Sequence, residues 1–139
     1  MSYREDERRK AVRLRNKIFK DPGNGLYRGI EREFILFNPI LNLCEGIRRE
    51  AIDYFKRNKI TWWPGNSELP TGHLLSSQIS CLNHLFFVRK NKVAATRILS
   101  EIDHEITEAC VVDDGYVEFE FIGQKQYLKE KAFTRGANC

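Results

Sequence analysis

Residues 38–63 read NPILNLCEGIRREAIDYFKRNKITWW, and this stretch decides the fold class. Asn38 suits a helix cap, and Pro39 falls where the first turn has no hydrogen bond to lose, so a helix is predicted from Pro39 to about Arg57. Ile40, Cys44, Ile47, Ala51 and Phe55 recur at helical spacing and define its buried face. Lys56, Arg57 and Lys59 close it with cations that suit the negative end of the helix dipole. Ile60-Thr61-Trp62-Trp63 is short and β-prone, and Pro64-Gly65 turns the chain. One of the two tryptophans is expected to anchor this loop on the core, although either could stack on a base.

Downstream, a second helix is predicted from about Thr71 to Arg89, with Leu75, Ile79, Leu82 and Phe86 as its stripe. A third, from about Lys92 to Ile102, turns Val93, Ala94, Ile98 and Ile102 inward. The period then changes. Ile106 to Val112 reads as a strand, Asp113-Asp114-Gly115 as a hairpin turn, and Tyr116 to Ile122 as an alternating strand. Gln124 to Lys131 fits a short amphipathic helix. Upstream, Glu31 to Phe37 suits a helix start and a short strand equally. Residues 4–20 suit a short helix or a basic arm, broken by Asp21-Pro22-Gly23-Asn24-Gly25. The expected class is α/β (α+β): three or so helices on a small sheet, with a C-terminal β-hairpin. The expected organisation is a basic segment, 1–25, and a single domain, 26–139.

The chain has 139 residues with 23 Lys and Arg against 19 Asp and Glu, a formal charge of +4. That balance permits nucleic-acid contact without demanding it. The cations are not evenly spread: Arg4, Arg8, Arg9, Lys10, Arg13, Arg15, Lys17 and Lys20 crowd the first twenty positions. Cys44, Cys81, Cys110 and Cys139 are far apart with no CxxC, and read as small buried hydrophobes in a reducing compartment. The first residues carry no apolar signal core, and no apolar run approaches the roughly 20 residues of a membrane span. The expected location is the cytoplasm, without membrane contact.

Residues 38–63, the PTGHLLSSQISCLNHLFF of residues 70–87 and the terminal RGANC of residues 135–139 together resemble the front part of a bacterial family of restriction-endonuclease-like nucleases in the PD-(D/E)XK superfamily. The likeness covers most of the chain from about residue 28 onward. It implies a mixed sheet flanked by helices, metal-binding carboxylates on a central hairpin with a nearby lysine, and often a glutamate from the leading helix. It also implies Mg2+ for the intact family, since a divalent ion lowers the pKa of the attacking water and steadies phosphorane charge. The departure lies in the motif itself: no lysine of this sequence has Asp or Glu two places before it. The resemblance therefore implies a truncated family member, a fragment, or a chain that another chain completes, with no cofactor expected in this chain itself.

Glu45 and Glu50 are the candidates for the leading-helix glutamate. Glu50 follows the stripe Leu43-Ile47-Glu50-Tyr54, where partial desolvation would raise its usefulness to a metal or partner. A boundary glutamate paired with Arg48 or Arg49 looks the same in sequence. Gln78 interrupts the stripe Leu74-Gln78-Cys81-Leu85, so its amide would orient a carboxylate or bond the loop near Trp63. Glu118 and Glu120 share one face of the alternating run, which makes them the one intrinsic metal proposal; the wet side of an edge hairpin looks alike. Cys81 and His84 have no converging ligands for zinc. Arg8, Arg9, Lys10, Arg13, Arg15 and Lys17 are the nucleic-acid candidates, because clustered cations displace counterions from phosphates. The expected partners are double-stranded DNA, a second copy of the chain or a complementing chain. The rival function is a non-catalytic assembly module that dimerises through an exposed sheet edge.

Overall fold

Glu5 reaches back to accept the Ser2 backbone N–H at 2.9 Å, half of a capping box, and a helix α1 runs over Tyr3–Ile18. The basic segment is therefore a helix and not an extended arm. The computed structural model describes residues 2–65, 68–112 and 114–120, and the chain forms two units, residues 1–86 and 87–139.

In the first unit, β1 (Asn24–Tyr27) and β2 (Ile30–Leu36) pair antiparallel, with Tyr27 opposite Ile30. Arg28 and Gly29 join them at φ +53° and +77°. Two left-handed central residues make the kind of tight turn whose twist matches a hairpin. Residues 72–74 extend the end of β2: Leu36 N–H donates to Gly72 O at 2.9 Å, and Leu74 N–H to Phe34 O at 3.0 Å. This crossing needs glycine, because a Cβ on Gly72 would lie 2.6 Å from the Leu36 carbonyl oxygen. The ambiguous run at Glu31–Phe37 is thus mostly strand.

Asn38 does cap, accepting the Ile40 N–H through its side chain at 3.3 Å. It caps only a 3-10 turn, Pro39–Asn42, and α2 begins afresh at Glu45–Arg57. Asn42 explains the break. Its buried amide donates to Thr71 O and His73 O at 2.9 and 3.1 Å, and its backbone carbonyl accepts from Asn83. The expected continuous helix gives way to a tertiary hydrogen-bond network that needs the turn. α2 ends with Ile60 N–H bonded to Phe55 O at 2.9 Å and Lys59 N–H to Lys56 O at 3.3 Å, while Lys59 takes φ +54°. This αL reversal folds the next residues back, and the Trp62 ring stacks on Phe55 with centroids 3.8 Å apart. Both are buried, as are Leu36, Leu43, Ala51 and Leu82. α3 covers Ser77–Leu85, capped by Ser76 Oγ on Ile79 N–H, and passes into a 3-10 turn at Phe86–Lys90.

In the second unit, α4 occupies Lys92–Ile102, capped by Asn91 Oδ1 on Ala94 N–H at 3.0 Å. The boundaries agree with the sequence reading, and Ala94 packs against the core as expected, but Val93, Ile98 and Ile102 do not. Val93 and Ile102 are 78% and 77% exposed, and the core is Val88, Ala95 and Ala109 with Leu99 and Tyr116 against it. Thr96 Oγ1 accepts the Ala109 N–H at 2.9 Å, which pins the helix on the side of its small residues.

The expected C-terminal hairpin is a correction as well. Among the described residues of 106–120, one isolated bridge joins Val112 and Gly115, and no ladder forms. The backbone donors are drawn elsewhere: Ala109 to Thr96, and Tyr116 N–H to Arg89 O at 2.8 Å. Phe121, Ile122, the helix expected at Gln124 to Lys131 and the RGANC end lie outside the described residues. The fold is α+β, with four helices and a two-stranded hairpin near the N-terminus among the described residues. The cysteines also differ from expectation, since Cys44, Cys81 and Cys110 are exposed; Cys44 takes the cap position of α2 and gives its N–H to Asn83 Oδ1. Among the described residues, no helix is long and apolar enough to cross a membrane.

Candidate functional site

Arg15 ties α1 to β2. Arg15 is 7% exposed, and its guanidinium donates to Asn24 Oδ1 at 2.6 Å, to Glu33 O at 2.8 Å, to Asp21 Oδ2 at 3.1 Å and to Gly23 O. The Asp21 side chain, 1% exposed, also accepts the Phe37 and Asn38 N–H groups at 2.8 and 3.1 Å. A buried carboxylate needs a cation and donors for its lone pairs, and this one has both. Arg15, a nucleic-acid candidate by sequence, spends its donors inside the fold.

With α1 fixed in this way, a cleft of about 420 Å³ opens between it and β2. Arg8, Arg9 and Arg13 come from α1 and Arg32 from β2, over an apolar floor of Val12 and Phe34. Glu31 and Glu33 also line it. The Arg8 guanidinium stands over Phe34, Cζ to ring centroid 4.4 Å, a cation–π contact. Its Nε is buried and, among the described residues, meets no acceptor. Arg9, Arg13 and Arg32 are exposed. Lys10 pairs with Glu7 at 2.7 Å, and Lys17 is exposed in the last turn of α1 and is not among the residues that line the cleft. Sequence reasoning placed three of the four arginines among the candidates and missed Arg32, whose only signal was its place in a run that fits helix or strand equally.

Behind the cleft, His73 sits in an aromatic box, with ring centroids of Phe34, Tyr27 and Trp63 at 5.2, 5.5 and 5.8 Å. Its Nδ1 accepts the Leu75 N–H at 3.1 Å, so the proton of the neutral ring is on Nε2. Burial, and then Arg8 and Arg4, hold its pKa below the ordinary 6.5. Linkage sets the sign. The unfolded chain takes up this proton first as pH falls, so stability is full above about 6.5 and drops below it. Denaturant unfolding between pH 7.5 and 5 should show that loss, at no more than about 1.4 kcal/mol per pH unit for the one proton. His73→Asn keeps an acceptor for Leu75 and should flatten the slope; an unchanged acid limb would assign the effect to other groups.

The remaining candidates scatter. Glu45 lies in the first turn of α2 and Glu50 on its exposed side. Gln78 accepts the Trp63 N–H at 2.9 Å and donates to Thr61 O at 3.2 Å, tying the tryptophan loop to α3. Glu118 is exposed and Glu120 takes φ +56°, so the two are not neighbours on a strand face. Among the described residues, no three of His, Cys, Asp and Glu come together in a way that could hold a metal ion.

A family model described as restriction endonuclease associating with ARP matches residues 6–139. No curated protein and no solved structure matches the chain. The matched span takes in α1, the hairpin and both units, so the arginine cleft and its supports lie inside it, and the chain belongs to the family of restriction endonucleases associating with ARP.

Proposed function

We propose that this chain engages DNA through the α1–β2 cleft, as the binding part of a restriction-endonuclease-like protein of the PD-(D/E)XK type. The observation that carries this reading is the convergence of Arg8, Arg9, Arg13 and Arg32 from a helix and a strand on one recess. Guanidinium forks match phosphate oxygens, and cations gathered in a recess concentrate the field that draws a polyanion in. The family description supports it, because restriction endonucleases act on DNA. Binding rather than cleavage is assigned to these residues: the D/E-X-K lysine is absent from the sequence, and no metal-holding carboxylate group is assembled among the described residues.

The test is anisotropy of a labelled duplex across a salt series. Wild-type protein should bind in low salt and weaken as salt rises. Arg9→Ala/Arg13→Ala/Arg32→Ala should weaken binding at least about tenfold and lower the log–log salt slope by about two to three, since each lost phosphate contact removes about 0.9. No binding at low salt would end this reading. The rival, an assembly module that dimerises through an exposed sheet edge, would show as a dimer in size-exclusion chromatography with light scattering, and a clean monomer at high concentration would count against it.

A further inference from the structure

The geometry points to the α1–β2 cleft as a site that prefers a phosphomonoester dianion, such as the 5′-phosphate at a nucleic-acid end, over an internal backbone phosphate. It rests on the nucleic-acid reading above for the molecule that carries the phosphate. Three features of the cleft support it.

The first is charge. The lining residues include four arginines and two glutamates, Glu31 and Glu33, an excess of two positive charges. A phosphomonoester carries about −1.5 to −2 at neutral pH, whereas each internal phosphodiester carries a single charge. The net charge of the lining matches one dianion more closely than one singly charged phosphodiester. The second is shape. At about 420 Å³ the cleft falls within the range of small-ligand pockets, about 300–1,000 Å³. An internal phosphate offers two free oxygens to the arginines, whereas a terminal phosphate offers three and is free on one side.

The third is an open donor. Arg8, one of the lining residues, has its Nε buried without an acceptor among the described residues, and its guanidinium stands over the Phe34 ring. A buried N–H in this state lowers its free energy when an oxygen arrives. Charge-assisted bonds from arginine to phosphate are the strong class of hydrogen bond, often paired in a fork.

Two blunt duplexes of the same sequence, one with 5′-phosphate and one with 5′-hydroxyl ends, would be titrated by anisotropy in low salt, with a nucleoside 5′-monophosphate and inorganic phosphate titrated separately by calorimetry. The phosphorylated duplex should bind about tenfold tighter, the scale of one to three added charge-assisted bonds. Arg8→Gln should erase the preference. Arg32→Gln, on an exposed strand position that the fold does not use, should erase most of it with an unchanged melting temperature. Equal binding of both duplexes would overturn the monoester site and leave the DNA reading intact. Binding of the nucleoside monophosphate or of phosphate but of neither duplex, lost in Arg32→Gln, would keep the monoester site and remove the DNA reading. No binding of any probe would overturn both.

Discussion

Replacing Arg15 with alanine is expected to lower the unfolding free energy by about 3–5 kcal/mol, the cost of leaving one partner of a buried ion pair alone. The Asp21 carboxylate would keep the Phe37 and Asn38 N–H donors but lose its cation. The carbonyls of Gly23 and Glu33 would lose a donor at the same time. Arg15→Met/Asp21→Asn should recover most of the loss, because a neutral pair of similar volume removes the charge that has to be stabilised. Urea unfolding of the two variants decides the matter; a loss below about 1 kcal/mol in Arg15→Ala would mean that the guanidinium is not what holds α1 to the hairpin.

The tryptophans should separate just as widely. Trp62→Ala is expected to cost about 3–5 kcal/mol, since the ring is 1% exposed and stacked on Phe55 in the centre of the first unit. Trp63→Ala should cost no more than about 1.5 kcal/mol, because that ring is 47% exposed and meets His73 by its edge. Parallel thermal or urea denaturation of the two variants tests this, and equal losses would contradict the stacked arrangement.

These residues also show what the sequence could and could not convey. Both tryptophans stand in one β-prone string, and nothing local distinguishes them. The αL turn at Lys59 sets which ring falls on α2. Arg15 looked like any other cation in a basic run, and its role depends on a carboxylate six residues on in a turn-forming segment. Arg8, Arg9 and Arg13 were legible as a basic cluster because clustering is a property of spacing. Their fourth partner, Arg32, was not, because a neighbour from another element has no spacing to read. Val93 and Ile102 misled for a related reason: the apolar stripe on α4 was counted by hydrophobicity, and the close contact was made on the side of Ala95 and Thr96.

The sequence alone determined the α+β class, the span of α4, the turn after Trp63, the absence of the D/E-X-K lysine and a resemblance that the family match supports in its coarser form. Those features depend on bonds and side-chain periods within a few residues, or on residue types alone. Tertiary structure decided that residues 24–36 pair as a hairpin, that Asn42 splits the predicted helix, that the described residues of 106–120 form no ladder, and that some arginines bind the fold while others face a cleft. Each of these turns on where a backbone donor or a charged group finds a partner remote in sequence, which local pattern does not record.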